Sequence, residues 1–149
     1  MSFKDHFSGH AADYRSFRPR YPRDLFAKLT ALTNGKQLAW DCATGSGQAA
    51  VHLAHYFDRV VATDASAKQI ANAETAPGIT YSVAPAEASG LDAASVDLLT
   101  VAQAIHWFDL DAFAAEAERV LKGSGILAAW TYGLRQISAR LEPVNTYLY

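Results

Sequence analysis

The stretch Asp41-Cys-Ala-Thr-Gly-Ser-Gly47 restricts the fold of this chain more than any other. An apolar run, Gln37-Leu-Ala-Trp40, leads into the acid, and beyond Gly47 the residues Ala49, Ala50, Leu53, Ala54 and Phe57 recur at helical spacing. That order reads as strand, tight turn and helix. Gly45 and Gly47 allow positive φ and place no Cβ in the way, so a ligand can lie against the main chain where the helix begins. A nucleotide or nucleoside is the ligand such a turn suits.

The rest of the sequence alternates strands and helices without any internal repeat. Pro22 suits the first turn of a helix reaching about Leu32, with Leu25, Phe26, Leu29 and Leu32 on one face and Asn34-Gly35 ending it. Residues 38–40, 59–63, 79–83, 95–102 and 126–131 read as strands from their short apolar, β-branched runs. Between them the spacing predicts helices over 47–57, over 66–73 with Ser66 as cap, and from Asp109 or Asp111 to Leu121; Lys122-Gly-Ser-Gly125 reads as a turn. Such alternation implies right-handed βαβ units. The expected fold is α/β, a Rossmann-like, doubly wound, mainly parallel sheet of about five strands with helices on both faces.

In such sheets ligands bind beyond the carboxyl ends of the strands, where strand order reverses. Four loops bring candidates there: the glycine turn, Asp64 after the second strand, Glu87 after the third, and Gln103 and His106 after the fourth. With 149 residues, half of them hydrophobic, the chain can bury the core of one domain. A net charge of −2 gives no general attraction to nucleic acid or anionic lipid, and no apolar run approaches the ~20 residues that span a bilayer. The single Cys42 and the opening Met1-Ser-Phe-Lys-Asp-His fit a reducing, cytoplasmic setting.

Gly45-Ser-Gly47-Gln-Ala-Ala50 satisfies the dinucleotide pattern G-x-G-x-x-[GA], and Asp64 lies near the spacing of a ribose-binding acid. Asp41 discriminates. A carboxylate just ahead of the glycines repels a pyrophosphate lying across the turn, whereas it can accept a bond from a ligand's cationic amine. A ligand with an ammonium group, a ribose and an adenine but no phosphate fits better.

Four pieces in order now resemble the class I S-adenosylmethionine-dependent methyltransferases: Asp41 to Gly47, Val60-Val-Ala-Thr-Asp64-Ala-Ser66, Ala86-Glu87 through Ser95-Val-Asp-Leu-Leu99, and Leu121-Lys-Gly-Ser-Gly-Ile-Leu127. Tyr14-Arg-Ser-Phe-Arg18-Pro-Arg-Tyr21-Pro22 and Ala104-Ile-His106-Trp107-Phe108 further look like the branch that includes trans-aconitate methyltransferase. The resemblance implies that Asp41 and the backbone at Ala43, Gly45 and Gly47 hold the methionine part of S-adenosylmethionine, and that Asp64 bonds the ribose hydroxyls. By the same token Ala65 and Gln69 flank the ribose or adenine, Ala86 and Glu87 line the adenine pocket, and Gln103 faces the methionine end. Tyr14 and Arg18 belong to an arm closing over the cofactor. The implied organisation is an arm and helix over 1–36, a cofactor-binding core over 37–133, and the start of a truncated C-terminal region over 134–149.

Ala43 stands where the family usually has its first glycine, which alanine tolerates if φ is negative. The family's usual last two strands are absent, so either the chain is a fragment, the reading favoured here, or a partner covers the open sheet edge. The implied reaction passes a methyl group from the sulfonium, leaving S-adenosylhomocysteine, to a small-molecule acceptor. A carboxylate acceptor needs no base; for an amine or hydroxyl, His106 is the candidate, with shaping of the acceptor pocket as its other reading. His52 and His55, at i and i+3, lack the Cys or carboxylate partners of a metal site and are expected to face solvent. The aromatic and basic run with Arg15, Arg18, Arg20 and Arg23 is a lid or a solvated helix entry. A dinucleotide oxidoreductase and a cofactor-binding module without turnover remain the competing readings.

Overall fold

A computed structural model of the chain describes residues 21–132. Tyr14, Arg18 and the region over 134–149 lie outside the described residues. Strands β1 (Leu38–Cys42), β2 (Arg59–Asp64), β3 (Ile79–Val83), β4 (Val96–Ala102) and β5 (Leu121–Trp130) form one sheet in the order β3-β2-β1-β4-β5, every neighbouring pair parallel. The helices are α1 (Arg23–Ala31), α2 (Gln48–Leu53), α3 (Ala67–Ala71) and α4 (Leu110–Val120), with a 3-10 turn at Ile105–Trp107. The order reverses between β1 and β4, whose carboxyl ends therefore open the crevice expected to receive a ligand.

Alternation along β1 builds two cores. Leu38, Trp40 and Cys42 pack with Leu99, Val101 and the Phe113, Ala117 and Val120 stripe of α4, while Ala39 packs with Ala49, Ala50 and Leu53 of α2 and with Phe26 of α1. Helices thus cover both faces. Parallel register also aligns Tyr81, Ala62, Asp41, Thr100 and Ala128 in one row across all five strands. Adjacent residues in such a row share a face, so this row places three polar side chains on the α2 side of the sheet.

Three expected boundaries shift. The helix after the glycine turn ends at Leu53 rather than near Phe57, and His55 and Tyr56 continue in tighter i→i+3 bonds to His52 and Leu53 that carry Phe57 into the core. Asn72 ends α3 early, its side-chain amide donating back to the Lys68 carbonyl at 2.8 Å. Lys122-Gly-Ser-Gly125 is not a separate turn: β5 begins at Leu121 and absorbs these residues as an irregularity opposite Val96 and Leu98. Extended dihedrals at Leu121 (φ −67°, ψ 138°) let the chain pass from helix to strand without a loop.

Two ionic clamps fix the loops. Asp97 accepts from the Gln37 and Leu38 amides at 2.9 and 3.0 Å and from Lys122 Nζ at 2.9 Å, tying β4 to the start of β1 and to β5. Glu116, 7% exposed, accepts from the Ser89 amide and hydroxyl and pairs with Arg119, which also donates to the Leu91 carbonyl. Bonding to Arg119, then to Ser89, holds the Glu116 carboxyl at about 2 against 4.5 unperturbed. Its contribution is complete above pH 4.5 and is lost as pH falls towards 2. Glu116→Gln is expected to destabilise the fold at pH 7 by about 1–3 kcal/mol and to flatten the acid limb; urea midpoints between pH 2 and 7 measure both.

Candidate functional site

The loop after β1 runs in left-handed backbone at Ala43 (φ 54°), Gly45 (φ 57°) and Gly47 (φ 84°). The condition under which alanine would replace glycine at position 43 without strain, a negative φ, is therefore not met. The Thr44 amide donates to the Thr63 carbonyl at 2.9 Å and the Gly45 amide to Asp64 at 2.9 Å, so the end of β2 fixes the path of the loop and with it the dihedral at residue 43. An alanine held there carries about 1–2 kcal/mol of local strain, which these bonds offset.

Asp64 couples two loops. One oxygen accepts from Gly45 and the other from the Ser66 amide at 2.8 Å, while Ser66 in turn caps α3 by accepting from the Gln69 amide at 3.3 Å. Each carboxylate oxygen has more than one lone pair, so this geometry also suits neighbouring ribose hydroxyls. Ala65 and Gln69 lie half-buried beside it.

Asp41 sits under the turn, 1% exposed, with Thr44 donating to one oxygen at 2.6 Å and Thr100 to the other at 2.7 Å. Both oxygens of the acid expected at the methionine end of the cofactor are thus engaged by hydroxyls. Burial pushes its carboxyl up to about 6, against the lowering effect of the two threonine bonds. The neighbouring Cys42 thiol is raised by burial as well and is inert.

Gln103 follows β4 in left-handed backbone (φ 59°), its amide donating to the Trp130 carbonyl at 2.9 Å. Its Nε2 is buried without a hydrogen-bond partner among the described residues, as is Gln48 Oε1 at the start of α2. A strained residue with an orphaned donor at a strand end is an arrangement that a ligand completes. Two other expected contributors follow β3. Ala86 is buried in the α4-side core, 8% exposed, and Glu87 accepts from the Asp109 amide at 3.0 Å, bonding the loop after β3 to the entry of α4.

His106 is exposed, its ring tilted against Trp107 at 4.8 Å, and Trp107 is itself 53% exposed. His52 does not simply face solvent: it stacks on Phe26 at 4.7 Å, although His55 is exposed as expected. Among the described residues no group of three or more His, Cys, Asp or Glu side chains could hold a metal ion, and no helix is long and apolar enough to cross a membrane. A cavity of about 470 Å³ includes Tyr21, Gln48, His52 and Glu74 in its lining but none of Asp41, Asp64, Glu87 or Gln103. It flanks the glycine turn and is separate from the crevice at the strand ends.

Sequence reasoning missed Thr44, Thr100 and Tyr81, which support the turn from beneath. A threonine inside the apolar run Val96-Asp-Leu-Leu-Thr100-Val-Ala102 was a legible signal for one of them.

The family model described as "Methyltransferase domain" matches residues 40–129. A protein of Dictyostelium discoideum named as a methyltransferase is 42% identical over 137 residues, covering 91% of this chain and 52% of its own length. A Saccharomyces cerevisiae protein named for S-adenosylmethionine-dependent methyltransferase activity is 28% identical, covering 92% of this chain and 50% of its own. A solved structure titled as a type II methyltransferase from Anaeromyxobacter dehalogenans is 49% identical with a TM-score of 0.79, covering 89% of this chain and 57% of that one. The chain thus spans about half the length of these relatives.

A carboxyl with a higher pKa folded than unfolded binds extra protons in the native state between the two values. For Asp41 stability therefore falls as pH rises from 3.8 to about 6 and stays lower above. Asp41→Asn, which keeps an acceptor for one threonine, is expected to remove that slope and to gain on the order of 3 kcal/mol at pH 8 relative to pH 4. Urea unfolding of both chains at the two pH values is the measurement.

Proposed function

The chain belongs to the methyltransferase-domain family, and from that premise we propose that it binds S-adenosylmethionine at the glycine turn and methylates a small-molecule acceptor. The observation that carries the reading is Asp64, a carboxylate fixed by Gly45 and Ser66 at the carboxyl end of β2, beside left-handed backbone that leaves the main chain open to a ligand. Bound there, the cofactor supplies a methyl group activated by a positively charged sulfur.

The chain's own work is alignment and exclusion of water, worth ~7–11 kcal/mol in favourable cases. Asp64 takes the ribose hydroxyls, with Ala65 and Gln69 alongside. The orphaned amide of Gln103 meets the polar methionine end. Asp41 attracts the cationic end through the turn, its own oxygens remaining on Thr44 and Thr100. A carboxylate acceptor brings its own anionic nucleophile; an amine or hydroxyl acceptor would pass its proton to His106, exposed just beyond β4.

Calorimetry of the 149-residue chain should give heat with S-adenosylhomocysteine and none with NAD. Asp64→Ala should weaken the former by about 1–3 kcal/mol, the range for bonds to a charged acceptor; unchanged affinity would remove the ribose assignment. Methyl transfer from labelled cofactor into a metabolite mixture separates an enzyme from a module that binds without turnover.

A further inference from the structure

We propose that Tyr81 of β3 is a positioning residue for cofactor binding, acting through Gly47 and the loop at Glu74; the inference rests on the cofactor reading above. Tyr81 lies on the register row of Asp41 and Thr100, separated from Asp41 by Ala62. Alanine at that middle position leaves room for the tyrosine ring to reach the turn.

Its hydroxyl donates to the Glu74 carbonyl at 2.5 Å, and the Glu74 amide donates to the Ser46 carbonyl at 3.0 Å. The two bonds form a closed chain from β3 through the loop before it to the residue between the two glycines. The same hydroxyl abuts Gly47: a Cβ added there would collide with Tyr81 Oη and come within 3.1 Å of Cζ. Tyr81 therefore limits the turn sterically on one side and anchors it by hydrogen bonding on the other. Burial, with the charge of Asp41, raises its pKa to about 12, so the hydroxyl keeps its proton at neutral pH.

This assigns the requirement for glycine at position 47 to two causes. One is the left-handed dihedral, which any side chain would strain. The other is the Tyr81 hydroxyl; removing that oxygen ends the collision and leaves the ring carbons Cζ and Cε1 in tight contact at 3.1 and 3.3 Å. The turn and β3 are then coupled, and substitutions at the two positions should not act independently.

The test is a double-mutant cycle read by calorimetric affinity for S-adenosylhomocysteine, with thermal unfolding of each chain alongside. Tyr81→Phe, which keeps the ring, should raise Kd about fivefold, the loss of one hydrogen bond, with a small change in midpoint. Gly47→Ala should raise Kd about tenfold or more. In the Tyr81→Phe background the effect of Gly47→Ala should shrink by about threefold or more, a rescue that general destabilisation would not produce. A Tyr81→Phe Kd within twofold of the unaltered chain, or effects that simply multiply, would overturn the proposal. Absence of binding by the unaltered chain would overturn the cofactor reading and this inference with it.

Discussion

The bonds from the end of β2 to the loop after β1 are the constraint on which the site depends. Thr44 and Gly45 donate to Thr63 and Asp64, and these contacts hold a loop with left-handed backbone at three alternate residues, Ala43, Gly45 and Gly47. The strand end thus performs two tasks with one carboxylate, holding the turn and presenting oxygens to the crevice. Parallel pairing of β1 with β2 brings the two loops to the same height, so sheet register sets the geometry of a site made largely of backbone.

Electrostatics beneath the turn and behind α4 run in opposite senses. Glu116 is surrounded by donors, including a guanidinium, and its ionised form is favoured. Asp41 has only two hydroxyls and the nearby Ala50 amide against full burial, and its ionised form is disfavoured. One acid serves the fold; the other is tolerated by it. A protein rarely retains an incompletely compensated buried carboxylate for stability alone, which agrees with a role for the Asp41 charge in attracting a cationic ligand.

Much of the fold was legible because its signals are local. Strand β3 matches its expected bounds, β1, β2 and β4 lie within one or two residues of theirs, and Ser66 and Asp109 cap the helices that follow them. What escaped depends on contacts distant in sequence. The positive φ of Ala43 is imposed by Thr63 and Asp64, some twenty residues on, and the link from Glu87 to Asp109 requires the sheet to exist first. Lys122-Gly-Ser-Gly125 has the composition of a turn, yet pairing with β4 claims it for β5. Gly45, Gly47 and Asp64 could be named from spacing, whereas Tyr81 in a plain β-branched strand could not.

That irregularity in β5 has a mechanical consequence. Two steps along β4, from Val96 to Leu98, face five along β5, from Leu121 to Ile126, after which pairing is regular as far as Ala102 and Trp130. The surplus chain is confined to the foot of the sheet, opposite the crevice. Lys122 pins the irregular stretch to Asp97 and Gln37, and regular pairing above it carries β5 to Trp130, whose carbonyl accepts from the Gln103 amide. The departure from regular pairing is thereby kept at the end of the sheet away from the crevice.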